Sequence, residues 1–177
     1  MTKTVVSNPD ATPENAKAAA PAVAAAAAKS AKTWEYETTS SLGTVEIGRK
    51  LAELLPPPRL MILRGDLGAG KTTLVKGIAT ALGAAEADEV TSPTFTLVHE
   101  YSGTFDGKPM KLLHLDLYRL ESERQLESLG LDEMQTPDAL ILIEWGEKFK
   151  SIKKRADGEI VITSAGGDSR KIVVTLN

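Results

Sequence analysis

A glycine-rich segment, GDLGAGKT at residues 65–72, constrains the chain more than any other feature. It matches G-x-x-x-x-G-K-[ST], a pattern in which glycines let backbone N–H groups turn inward around phosphate oxygens. The apolar run RLMILR precedes the segment, and a helix-forming run follows it. A chance glycine-rich turn would not need these flanks. We therefore interpret residues 65–72, the phosphate loop, as a nucleotide-binding loop between a strand and a helix.

The side chains of the phosphate loop predict how a nucleotide would be held. Lys71 can reach the β- and γ-phosphates, and Thr72 can offer its hydroxyl to Mg²⁺. The guanine-reading pattern N-K-x-D is absent from the sequence, which favours ATP over GTP. The predicted nucleotide contacts around the loop are Asp66, Leu67, Gly68, Ala69, Gly70, Lys71, Thr72 and Thr73.

Hydrophobic periodicity predicts an α/β fold, with a P-loop NTPase-like mixed sheet flanked by helices in a single domain. Strands are predicted at 33–39, 59–65, 90–101, 111–120 and 139–145, two more within 159–176, and helices at 43–55, 72–82 and 122–131. Asp106-Gly107 predicts one hairpin, and a Gly-Gly-Asp turn predicts a second, C-terminal β-hairpin. The basic segment 148–158 is interpreted as a solvated loop.

The first 33 residues differ in composition from the rest of the chain. Ala, Pro, Lys and Asn dominate them, which predicts a disordered or transiently helical extension before a folded domain at 34–177. The Ala tract is a poor signal peptide, because Asp10 and Glu14 precede it and Pro21 interrupts it. No run reaches the roughly 20 apolar residues of a membrane span. Because an ATPase with a phosphate loop has little use outside the cytoplasm, we expect a cytoplasmic protein. The net charge of −3 argues against a domain that grips nucleic acid alone.

Two carboxylates in apolar strands are candidates for work on a phosphate. Glu144 ends ALILIE, the placement of a metal-binding acid beside a phosphate loop, although ordinary strand-end glutamates look the same. Asp116 lies inside HLDLYRL, and a buried Asp is costly unless it is paired or liganded. A functional role for Asp116 and a salt bridge to Arg119 both remain open. TSPTFT at 91–96 is either a γ-phosphate sensor or a polar turn.

Together these segments resemble the TsaE family, also called YjeE. The resemblance rests on GDLGAGKTTL, SPTFTLVHEY, HLDLYRL, GLDE and ILIEW in that order, and it covers roughly residues 40–177. It implies an ATPase that acts with TsaB and TsaD, which form threonylcarbamoyladenosine in tRNAs reading codons that begin with A. The ATPase would reset that complex between turnovers and would meet tRNA through the complex rather than alone.

The resemblance also implies residue roles. Lys71, Asp116 and Glu144 would be catalytic, and Thr72 and Glu144 would bind Mg²⁺. The resemblance places Thr44, Trp145 and Arg170 near the nucleotide. The N-terminal extension and the lack of a long C-terminal helix depart from the family pattern. A small-molecule kinase and an ATP-gated binding module remain the alternatives.

Overall fold

The computed structural model describes residues 31–177, so most of the expected N-terminal extension lies outside the described residues. Its strands are β1 (Lys32–Thr38), β2 (Arg59–Arg64), β3 (Val98–Phe105), β4 (Lys108–Asp116), β5 (Ala139–Glu144), β6 (Gly158–Ser164) and β7 (Arg170–Leu176). Its helices are α1 (Ser41–Leu54), α2 (Lys71–Ala81), α3 (Glu123–Glu127), α4 (Leu131–Met134) and α5 (Lys150–Arg155), with a 3-10 turn at Gly146–Lys148.

All of these strands join one mixed sheet in the order β1-β7-β6-β2-β5-β4-β3. The central strands β6, β2, β5 and β4 are parallel, whereas β3 pairs antiparallel with β4, and β7 pairs antiparallel with both β6 and β1. The β3–β4 connection is the predicted Asp106-Gly107 turn, with φ of 53° and 74°. The predicted mixed α/β sheet and its C-terminal hairpin are confirmed.

The sheet separates two apolar cores, as the nearly continuous apolar central strands predict. In β2, Met61 and Leu63 belong to one core, and Leu60 and Ile62 belong to the other. Helices α1 and α2 cover the first face, while residues of α3, α4 and α5 pack on the second. Because both faces of the parallel strands are covered, the strand ends form the accessible edge of the central sheet.

Residues 90–97 form a loop, so the predicted strand at 90–101 was wrong in its first part. The Leu97 N–H donates to the Pro93 carbonyl (2.7 Å) and closes a turn. Leu97 itself has φ of 65°, outside the strand region. The strand therefore begins only at Val98, and the loop is free to place its hydroxyls against the end of β4.

One predicted helix and one predicted loop also need correction. The predicted helix at 122–131 is broken, because Gly130 adopts a left-handed φ of 72° between α3 and α4. Ser122 does cap the first of the two helices, because it forms a capping box with Gln125. The segment 148–158, predicted as a loop, contains α5, since Ile152 is fully buried against the core.

Candidate nucleotide-binding site

The candidate site lies at the carboxyl ends of three neighbouring parallel strands. The phosphate loop follows β2, and β2 pairs with β5 so that Leu63 lies beside Glu144. Strand β5 pairs in turn with β4, which sets Asp116 beside Glu144. Ligands of open α/β sheets bind outside such carboxyl ends. The sheet register thus brings the phosphate loop and both candidate carboxylates to one place.

These residues surround a cleft of about 660 Å³. That volume is within the range of about 300–1,000 Å³ that is typical of small-molecule sites. The cleft is lined by Leu67, Gly68, Gly70, Lys71, Thr72, Thr73, Ser92, Thr94, Asp116, Tyr118, Glu144 and Trp145. Most of the sequence-predicted site residues therefore lie together, and the cleft also includes hydroxyls from the 90–97 loop and Tyr118.

The phosphate loop has the backbone geometry of an anion cradle. Gly68 and Gly70 adopt φ of 77° and 106°, which side chains with a Cβ rarely adopt. The Leu74 N–H donates to the Gly70 carbonyl (2.9 Å) and starts α2, so the positive end of that helix faces the loop. Lys71 is 6% exposed, and its Nζ donates to the carbonyls of Gly65 (2.8 Å) and Asp66 (3.1 Å). The lysine is thus already folded over the cradle.

Asp116 is buried and accepts three hydrogen bonds. Ser92 Oγ (3.2 Å) and Thr94 Oγ1 (3.0 Å) donate to its Oδ2, and the Tyr118 N–H donates to its Oδ1 (3.0 Å). The Arg119 guanidinium instead stacks 4.3 Å from the centre of the Phe95 ring. The alternative of an Asp116–Arg119 salt bridge is therefore wrong. Local hydroxyl and amide donors compensate the buried carboxylate.

Glu144 is buried between a lysine and a histidine. Its Oε2 lies 3.6 Å from Lys71 Nζ, and its Oε1 lies 2.8 Å from His114 Nε2. His114 is fully buried, and it was not among the predicted site residues. One signal was available: His114 precedes Asp116 by two residues, so the two side chains share a face of β4.

Trp145 follows β5 with a left-handed φ of 62°. Its ring lies 5.3 Å from Lys71 Nζ and 5.3 Å from the Tyr118 ring. Lys148, one turn further on, donates from Nζ to the carbonyls of Tyr118 (2.8 Å) and Leu120 (2.7 Å). The segment after β5 is thereby tied to the segment after β4, and Trp145 and Tyr118 form an aromatic side of the cleft.

Thr44 and Arg170 lie next to the cleft rather than in its lining. Both line a small pocket that shares Gly70 and Thr73 with the main cleft. Arg170 Nε donates to the Ala69 carbonyl (2.6 Å), so this residue braces the phosphate loop from the C-terminal hairpin. Asp66 and Ala69 take part through their backbone carbonyls.

The oxygen donors of the cleft fit Mg²⁺. The hydroxyl of Thr72 and the carboxylate of Glu144 line the same cleft, and Mg²⁺ prefers oxygen ligands. Within residues 31–177, no three His, Asp or Glu side chains form a metal-binding group. A magnesium ion held with substrate phosphates needs only one or two protein ligands.

Across residues 31–177, no helix combines the length and apolarity needed to cross a bilayer.

The fold and the site define a P-loop protein of the mixed-sheet α/β class. The family model described as "Threonylcarbamoyl adenosine biosynthesis protein TsaE" matches residues 38–172. The chain therefore belongs to the TsaE family, a family of proteins of tRNA threonylcarbamoyladenosine biosynthesis.

Individual relatives agree with this assignment. The tRNA threonylcarbamoyladenosine biosynthesis protein TsaE of Bacillus subtilis is 39% identical over 144 residues, which are 81% of this chain and 86% of the relative. The TsaE protein of Streptomyces coelicolor is 46% identical over 103 residues, 58% of this chain and 66% of the relative. A crystal structure of YdiB from Bacillus subtilis is similar with a TM-score of 0.59 and 33% identity, covering 82% of this chain and 86% of that one.

Proposed function

We propose that this protein binds and hydrolyses ATP to reset the TsaB–TsaD complex during N6-threonylcarbamoyladenosine formation in tRNAs that read codons beginning with A. One observation carries the proposal. The phosphate loop, Asp116 and Glu144 converge on a single cleft at the ends of adjacent parallel strands. A phosphate cradle beside two buried carboxylates is the arrangement that positions a nucleotide and a water for phosphoryl transfer to water.

Each group in the cleft has a role in this proposal. The amides of the phosphate loop and the α2 dipole bind the phosphates, and Lys71 exchanges its loop carbonyls for phosphate oxygens. Thr72 and Glu144 would hold Mg²⁺, which supplies positive charge that stabilises the transferring phosphoryl group. Asp116, oriented by Ser92 and Thr94, accepts a hydrogen bond from the attacking water. Thr44, Trp145 and Arg170 contact the remainder of the nucleotide.

The surface around the cleft supports dependence on a partner. Leu67 and Tyr118, which line the cleft, are 94% and 59% exposed, and Phe95 in the 90–97 loop is 82% exposed. We refer to these three side chains as the apolar rim, and we propose that a partner covers them. Among the described residues that line the cleft, none is an arginine. An arginine supplied by a partner can accelerate hydrolysis by about 10³–10⁵. We therefore propose weak hydrolysis by the cytoplasmic protein alone, stimulation by TsaB and TsaD, and tRNA contact only through the complex.

The test is ATP hydrolysis by the protein alone and with TsaB, TsaD and tRNA, with Glu144→Ala as the control. Stimulation by the partners that Glu144→Ala abolishes is the expected result. Equal rates with and without partners would contradict the partner-dependent ATPase. In that event, phosphorylation of compounds in a small metabolite library would test the kinase alternative.

The exposed apolar rim also favours a second candidate, an ATP-gated binding module in which hydrolysis is incidental. Glu144→Gln separates the two functions. An ATPase with this substitution loses threonylcarbamoyladenosine formation under multiple turnover. A pure binding module keeps both ATP-dependent partner binding and product formation.

A further inference from the structure

His114 is a buried residue that lies next to Glu144, one of the two carboxylates of the candidate site. It lies in β4 and is fully buried. Its register partner on β5 is Leu142, so Glu144 is its diagonal neighbour two residues further along that strand. Diagonal neighbours on one sheet face are within reach of long side chains. The only other histidine of the chain, His99, is the register partner of His114 on the outer side, in β3.

The His114 and Glu144 side chains are within hydrogen-bonding distance of each other. His114 Nε2 lies 2.8 Å from Glu144 Oε1. A carboxylate that binds a cation accepts hydrogen bonds, so the arrangement proposed below requires the proton of His114 on Nε2. The other ring nitrogen, Nδ1, is buried and has no hydrogen-bond partner among the described residues. The imidazole is therefore committed to a single hydrogen bond, the one to Glu144.

That hydrogen bond determines which carboxylate oxygen faces the cleft. With Oε1 held by His114, Oε2 is the oxygen directed toward Lys71, 3.6 Å from its Nζ. We propose that His114 is a positioning residue that fixes the Glu144 carboxylate so that Oε2 is presented to a divalent cation. This inference rests on the proposed function, because it assigns Glu144 to the cation.

The physical reason is the freedom of a glutamate side chain. Without a fixed partner, a glutamate can rotate each oxygen away from a required position. Carboxylate ligands of metals are themselves hydrogen-bonded, and loss of the outer partner costs about 10–100-fold in metal affinity or activity. Among the described residues, His114 and Lys71 are the side chains that form a hydrogen bond or an ion pair with the Glu144 carboxylate.

The test measures ADP affinity with Mg²⁺ and with EDTA, using the full chain and its variants. His114→Leu removes the donor, His114→Gln retains an N–H of similar reach, and His99→Leu is the matched control. We expect His114→Leu to lower the Mg²⁺-dependent gain in ADP affinity by about 10–100-fold, with unchanged affinity in EDTA. His114→Gln should restore most of the gain, and His99→Leu should leave it intact.

Two results would overturn the inference while leaving the proposed function in place. One is a Mg²⁺-dependent gain in wild type that His114→Leu leaves unchanged. The other is a fall in ADP affinity in EDTA as large as the fall with Mg²⁺, which indicates a merely structural role. A wild type without any Mg²⁺-dependent gain would overturn the metal site itself and the inference with it.

A spectroscopic measurement keeps the test independent of how well the variants fold. Nitrogen-15 NMR of the histidine rings in metal-free wild-type protein reports which ring nitrogen carries the proton. We expect the proton of His114 on Nε2, and a signal that changes in Glu144→Gln. A proton on Nδ1 alone would overturn the hydrogen bond to the Glu144 carboxylate.

Discussion

The two walls of the cleft are built in different ways. The phosphate loop is formed mainly by backbone, with glycines in left-handed conformations and Arg170 bound to the Ala69 carbonyl. The opposite wall consists of two buried carboxylates, Asp116 and Glu144, each held by side chains from other segments. A backbone cradle offers amide donors once its glycines allow the required turns, whereas a carboxylate wall depends on particular hydrogen bonds between side chains.

This difference predicts a division of labour. The backbone wall should determine nucleotide affinity, since its amides contact phosphates in every state of the reaction. The carboxylate wall should determine the rate, since its groups act on the cation and the attacking water. A substitution in one wall that changes nucleotide affinity and hydrolysis rate together would contradict this division. A substitution that changes only one of the two would support it.

The largest effect is expected from Lys71→Ala, because Lys71 belongs to both walls. Its Nζ binds the carbonyls of Gly65 and Asp66 and lies beside Glu144. We expect partner-stimulated hydrolysis to fall by about 10²–10³, the usual cost of removing one transition-state donor, and ATP affinity to fall as well. Steady-state kinetics and nucleotide titration measure both quantities. Lys76→Ala in the same helix is the control, and a normal rate in Lys71→Ala would contradict the proposed role.

Glu144→Gln should separate the two walls. The amide keeps the shape of the side chain but loses the charge that faces Lys71 and the cation. We expect hydrolysis to fall by about 10², while ATP binding in EDTA stays at the wild-type level. Glu159→Gln is the control, because Glu159 lies on β6, which β2 separates from β5, and does not line the cleft. If ATP binding in EDTA collapsed with the rate, the division between the walls would be wrong.

The same contrast explains how far the sequence could predict the structure. The phosphate loop is a local motif in which spacing and geometry coincide, so its residues and flanking elements were predicted together. Glu144 was recognisable as a carboxylate at the end of an apolar strand and Asp116 as one inside such a strand, although β4 in fact ends at Asp116. Their adjacency is a fact of strand order, because β4 and β5 are neighbours in the sheet but separated in sequence by α3 and α4.

Two of the features that the sequence did not predict depend on contacts between distant segments. Residues 90–97 have the composition of a strand, but hydrogen bonds from Ser92 and Thr94 to Asp116 favour a loop. Segment 148–158 reads as a charged loop, yet Phe149 and Ile152 are buried in the second core, and Lys150–Arg155 form α5. Hydrophobic periodicity predicts which face of a helix or strand is buried, but it does not predict which segment packs against that face.

A smaller effect is expected at the hydroxyl support of Asp116. Thr94→Ala removes one of two hydroxyl donors to Oδ2, and Ser92 remains. A hydrogen bond to a charged group contributes about 1.5–3 kcal/mol, which corresponds to about 10–100-fold. With Ser92 still in place, we expect a fall in hydrolysis near the lower limit, about 10-fold, and an unchanged ATP affinity. Thr96→Ala, exposed in the same loop, should match wild type in both measurements.

The smallest effect should come from Lys148→Gln, because Lys148 supports the carboxylate wall from outside the cleft. Its Nζ binds the Tyr118 and Leu120 carbonyls, joining the segments that follow β4 and β5. Solvent screens this exposed ammonium, so we expect a loss of about 1 kcal/mol and a Tm lower by about 2–4 °C. Hydrolysis should fall by only a few-fold, since Asp116 keeps its own donors. Lys154→Gln in α5 is the control. If the hydrolysis rate of Lys148→Gln fell as far as that of Glu144→Gln, the carboxylate wall would depend on the Lys148 hydrogen bonds as much as on its own charges.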